Sequence, residues 1–115
     1  FGAPHAPFAQ PRNVTGGHVV SALAGVFVQQ TLGWEPWLAA ALAVALAVSL
    51  MHITATLHPP GGATALLAVI GGKEIHDLGY LFILYPVGIS AVALVITGIA
   101  YNNLSRSRRY PIYWW

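Results

Sequence analysis

Between Glu35 and Lys73 the chain carries no Asp, Glu, Lys or Arg, and in the middle of that stretch stands His58-Pro59-Pro60-Gly61-Gly62-Ala63-Thr64. Apolar runs of this kind fold as helices in hydrocarbon, where a freed backbone amide or carbonyl costs several kcal/mol. Irregular backbone survives there only when it is buried in protein or lines a wet cavity. Two prolines and two glycines forbid one continuous helix across the stretch. The interruption therefore reads as a candidate binding site and not as an ordinary turn.

Composition supports a membrane setting. Of the 115 residues 57% are hydrophobic and 7% are charged, against about 25% charged in soluble domains. The expected fold class is all-α: a polytopic transmembrane helical bundle with a proline/glycine-broken helix. Cysteine is absent, which excludes disulfides, thiolate metal sites and cysteine nucleophiles. No nucleotide-binding glycine loop appears, and Ser21, Ser49 and Ser90 lack a nucleophile-elbow context. No enzyme activity, cofactor or nucleic-acid partner is expected. The chain opens at Phe1 without a methionine or a signal-peptide pattern, and it reads as a fragment or processed product whose upstream part is absent.

Residues 1–13 hold Pro4, Pro7 and Pro11 and are expected to be extended at the membrane surface. Apolar spans are expected at about 16–33, 38–57, a short 62–71 and 78–101, with a kink near Pro86 and a tail over 102–115. Trp34-Glu35-Pro36-Trp37 is a tight turn with interfacial indoles. Residues 71–77 are a hydrophilic loop. Arg106, Arg108 and Arg109 follow the last span and place the C-terminus in the cytoplasm by the positive-inside rule. If the short segment crosses, Arg12 lies on that side too. Gly17, Ser21 and Gly25, like Ala39, Ala43 and Ala47, recur every four residues; such stripes let helix backbones approach closely.

The residues after the break resemble the start of a buried helix. Proline suits the first turn, and the amides of Gly61, Gly62, Ala63 and Thr64 would be open donors at the positive end of the helix dipole. That pattern is an anion site, to which Thr64 adds a hydroxyl and His58 a ring N–H or a switchable charge. The competing reading is a structural helix break with His58 as a capping donor. Arg12 could pair with an anion bidentately or contact lipid headgroups. Gly16-Gly17 is expected to open the first helix as Gly61-Gly62 opens the later one, with Asn13 or Thr15 as an N-cap. His52, inside the second span, is expected to face the bundle interior or a cavity. A metal site made of His18, His52 and His58 is an open alternative, although the i,i+4 spacing is missing.

Two separated motifs and the tail resemble the HPP family of integral membrane proteins: residues 56–66 around His58-Pro59-Pro60, residues 7–18 from Pro7 to His18, and the closing Arg109-Tyr110-Pro111-Ile112-Tyr113-Trp114-Trp115. The resemblance implies a four-span domain with a transport role, nitrite being the substrate associated with plastid and cyanobacterial members. It also implies an apolar segment upstream of Phe1, so that this chain is expected to begin after a first span. The expected partners are the bilayer, a small inorganic anion and further copies of the chain. The expected location is a bacterial inner membrane or a plastid envelope. The substrate-binding candidates are His58, Gly61, Gly62, Ala63, Thr64, His52, Arg12 and His18. A scaffold whose motif only locks helix packing is the alternative function.

Overall fold

In the computed structural model, residues 3–105 and 107–115 are described; the expectation for Arg106 lies outside them. After a 3-10 turn at Pro7–Ala9 come α1 (Pro11–Leu32), α2 (Pro36–Ile53), α3 (Pro60–Ile70), α4 (Lys73–Leu78) and α5 (Ile89–Asn103). Pro11, Pro36 and Pro60 each sit in the first turn of their helix, where the missing N–H has no helical partner to lose. Two helical stretches, Pro36–Ile53 and Ile83–Asn103, are long and apolar enough to cross a membrane. The second is broken at Tyr85, whose backbone (φ −134°, ψ 123°) is extended, because the residue before a proline is pushed out of the helical region. The expected kink at Pro86 is thus a full break, and 78–101 is not one helix.

Several other boundaries differ from the sequence reading. Gly16-Gly17 does not open α1; the helix starts at Pro11, so Pro11, Arg12 and Asn13 are helical and not extended. Neither Asn13 nor Thr15 caps it: Gln10 holds the N-cap position, while Asn13 bonds Leu57 O and Thr15 bonds Pro11 O. The hydrophilic loop contains α4, closed by a Lys73–Asp77 ion pair at i,i+4. Helix α2 stops at Ile53, short of Leu57. There Ala55 takes a left-handed φ of 52°, which turns the chain back along α1.

From that point residues 54–65 run parallel to α1. Arg12 meets Thr54, Asn13 meets Leu57, and Gly17 abuts His58 and the Thr56 carbonyl. Further along, Gly61 lies against Gly17 and Ser21, and Gly25 against Ala65. Helix α3 therefore begins about 10 Å, or seven residues of α1, inside the bundle. The carbonyls of the irregular segment are satisfied from α1: Arg12 Nη2 donates to Thr54 O at 3.1 Å and Asn13 Nδ2 to Leu57 O at 2.9 Å. This is the condition for irregular backbone away from water.

The small-residue stripes do the packing expected of them. A Cβ on Gly25 would fall 2.6 Å from the Ala65 carbonyl oxygen, and one on Gly61 2.5 Å from Ser21 Oγ. Ala39, Ala43 and Ala47 are fully buried with Ala24, Val28, Ala65 and Val69. A second cluster joins Ala22, Val26 and Ala68 to Phe82 and Val87. Helix α5 returns antiparallel to α1, and the tail then folds over the start of the chain. Tyr110 Oη donates to Ala9 O at 2.7 Å, and Ile112 N donates to Gln10 Oε1 at 3.0 Å. Arg12, Arg108 and Arg109 consequently share one end, while Glu35, Glu74 and Asp77 occupy the other.

Candidate functional site

The Pro59-Pro60 break brings together three side chains from distant parts of the chain. His18, two turns into α1, approaches His58 at the foot of the irregular segment, with ring centroids 4.9 Å apart in an edge arrangement. His18 Nδ1 lies 2.7 Å from Thr64 Oγ1, which the second turn of α3 presents. His58 Nδ1 lies 2.7 Å from Phe8 O. A carbonyl can only accept, so Nδ1 of His58 carries the proton and Nε2 is left for other contacts. No Cβ intervenes at Gly17, where one would fall 2.5 Å from His58 Cβ; only glycine lets the imidazole reach this place.

Each ring lines a different cavity. His18 and Thr64, with Phe82, Pro86, Val87 and Ser90, line one of about 180 Å³ between α1, α3 and α5. His58, Pro59 and Pro60, with Ala3, Ala6 and Phe8, line another of about 180 Å³ at the N-terminal end of the bundle. Each has room for several waters at about 30 Å³ apiece, or for a small ion with part of its shell.

The sequence candidates divide accordingly. His18, His58 and Thr64 come together. The amides of Gly61 and Gly62 are not open donors: they bond His58 O at 2.8 Å and Pro59 O at 3.1 Å. The first turn of α3 closes on its own preceding carbonyls, so the dipole of the helix is present but these two N–H groups are engaged. Gly61 is buried against α1, and Ala63 faces outward. Arg12 lines neither cavity and serves the carbonyl of Thr54. His52 does not face the interior; it is exposed, with Nδ1 2.8 Å from Val48 O. The three-histidine metal arrangement is therefore not formed, and among the described residues no group of three or more His, Cys, Asp or Glu could hold a metal ion.

A family profile described as the HPP transmembrane region matches residues 1–111. The chain belongs to the HPP transmembrane family. It is an integral membrane protein, with the lipid bilayer as its surroundings. Two transmembrane proteins of Dictyostelium discoideum are similar to it, at 42% and 43% identity over the whole of this chain. The chain spans about two fifths of their length, 38% and 41%. No solved structure matches.

Two contributors to this HPP site escaped the sequence reading. Ser90 places a hydroxyl on the inner cavity from a helix that carries no motif. Phe8 acts through its backbone carbonyl, which no side-chain pattern reports. The resemblance marked residues 7–18 as a unit but not which backbone atom within them would act.

Proposed function

We propose that this HPP domain passes a small inorganic anion through the His18–His58 pair, nitrite being the leading substrate. The observation that carries the reading is the placement of the two rings. Each lines its own cavity, and together they stand where a half-helix begins inside the bundle. An anion moving from one cavity to the other would exchange water for the one donor that the His18–Thr64 pair leaves free and for the Nε2–H that His58 gains on protonation, at the positive end of α3. Nitrite itself rests on the family resemblance. No enzymatic step belongs to this reading, and the domain works with Arg12 and the tail on the cytoplasmic side, beside further copies of itself.

A second reading has its own support: Gly17, Gly25 and Gly61 allow no added methyl group, as a packing scaffold would need. Nitrite uptake into proteoliposomes holding the complete natural protein separates the two. A transporter gives saturable uptake that falls by about tenfold or more in both His18→Ala and His58→Ala while the folded protein survives. No uptake above empty liposomes by folded wild-type protein, with nitrate and chloride tried as well, contradicts transport and favours the scaffold.

A further inference from the structure

A groove runs down the outside of the bundle between α1 and α5. At its head Pro11, Arg12, Trp114 and Trp115 surround a cavity of about 280 Å³ backed by Ile96 and Ile99. Thr15 and Val92 belong to this cavity and to the next, of about 490 Å³, which reaches Leu84 and Tyr85. From Ile99 to Ile89 the α5 wall covers about 15 Å, the depth of one leaflet of a bilayer core of about 30 Å. The walls are aliphatic, with Val92 51% and Ile96 61% exposed.

The head of the groove is basic and unbalanced. Arg12 donates one guanidinium N–H to Thr54 O, and among the described residues it has no Asp or Glu partner. Arg108 and Arg109 leave the same end, whereas Glu35, Glu74 and Asp77 lie at the opposite one. A planar guanidinium with N–H groups to spare matches phosphate oxygens, and indoles settle at headgroup level.

We propose that this groove binds one anionic phospholipid, with its phosphate on Arg12 beside the two tail indoles and one acyl chain along Val92 and Ile96. The charge argues for an anionic lipid over a zwitterionic one, since Arg12, Arg108 and Arg109 make this end positive and among the described residues no Asp or Glu side chain lies there to offset them.

The test uses the complete protein in bilayers containing a phosphatidylglycerol with a photoreactive acyl chain, with labelled positions mapped by peptide mass spectrometry. Labelling should concentrate on residues 92–99. Unlabelled phosphatidylglycerol should compete about fivefold better than phosphatidylcholine, the ratio expected of one basic side chain near an anionic lipid. In Arg12→Gln the labelling should fall by a similar factor, while that of the outward face of α2 stays constant and reports a preserved fold. Ile96→Trp, which fills the groove from its lipid side and leaves Arg12 untouched, should also lower it. Even labelling over α2 and α5, equal competition by phosphatidylcholine, or unchanged labelling in both variants would overturn the proposal.

Discussion

On the face of α1 that carries Gly17, Ser21 and Gly25, α3 lies so close that a single added Cβ would meet backbone atoms. On its other side, toward α5, the chain leaves a cavity of about 180 Å³ at His18 and a groove of larger cavities outside it. The physical reason is residue size. Small side chains let two helices gain dispersion contacts along their backbones, whereas the branched Val92, Val95, Ile96 and Ile99 of α5 hold that helix away from α1. The labour is divided: α1, α2 and α3 form a close-packed platform, and the seam toward α5 supplies space. His18 and His58 stand at the border of the two, held by the first and opening on the second.

The largest effect should come from placing a methyl group on the tight side. Gly25→Ala puts a Cβ 2.6 Å from the Ala65 carbonyl oxygen, and should cost about 3 kcal/mol of stability. Gly62→Ala, whose new Cβ meets nothing closer than Val44 Cγ1 at 3.7 Å, should be neutral or stabilising by up to about 1 kcal/mol. Thermal unfolding in detergent compares them, and equal losses would remove the distinction between a close-packed and an open face.

On the open side the expectation reverses. Ser90→Leu should fill the inner cavity, cut anion uptake by about tenfold and leave stability within about 0.5 kcal/mol. A variant that transports normally would mean that the cavity is not on the path.

The tail fastening gives a smaller effect with a sign fixed by linkage. Burial pushes the Tyr110 phenol above its ordinary value, so the folded chain holds that proton more tightly than the unfolded chain does. The contribution is complete below about pH 10 and is lost as pH rises through the raised folded value. Protease sensitivity of the tail should therefore begin to climb above about pH 10 in the wild type and lose that step in Tyr110→Phe. A step retained in the variant would assign the transition to another group.

The smallest change belongs to the exposed end. Asp77→Asn removes the Lys73–Asp77 pair, which is well exposed, and should shift stability by about 0.5 kcal/mol or less. A loss as large as that of Gly25→Ala would show that α4 is part of the platform.

Much of the platform was legible in sequence because it is written in residue size and period: Gly17-Ser21-Gly25 and Ala39-Ala43-Ala47 became the contacts expected of them. The break at His58-Pro59-Pro60 was legible for the same kind of reason, since proline and glycine act locally. The site was only half legible. That His18 meets Thr64 depends on residues 54–59 descending beside α1, which follows from the turn at Ala55 and from Arg12 and Asn13 taking two backbone carbonyls. None of these leaves a periodic signal. His52 was misplaced because hydropathy locates a residue along a span but not around it. The N-terminus of α1 was misplaced because three prolines looked like a barrier, when Pro11 is in fact the first residue of the helix.

On the proposed reading, His18 and His58 join the two cavities into one path. Cysteine is absent from these 115 residues, so a single thiol introduced as Ser90→Cys reports on the inner cavity directly. Modification by a small, membrane-impermeant thiol reagent should stop nitrite uptake, and nitrite in excess should slow the modification. A thiol at this position that reacts fully while uptake continues unchanged would contradict the account.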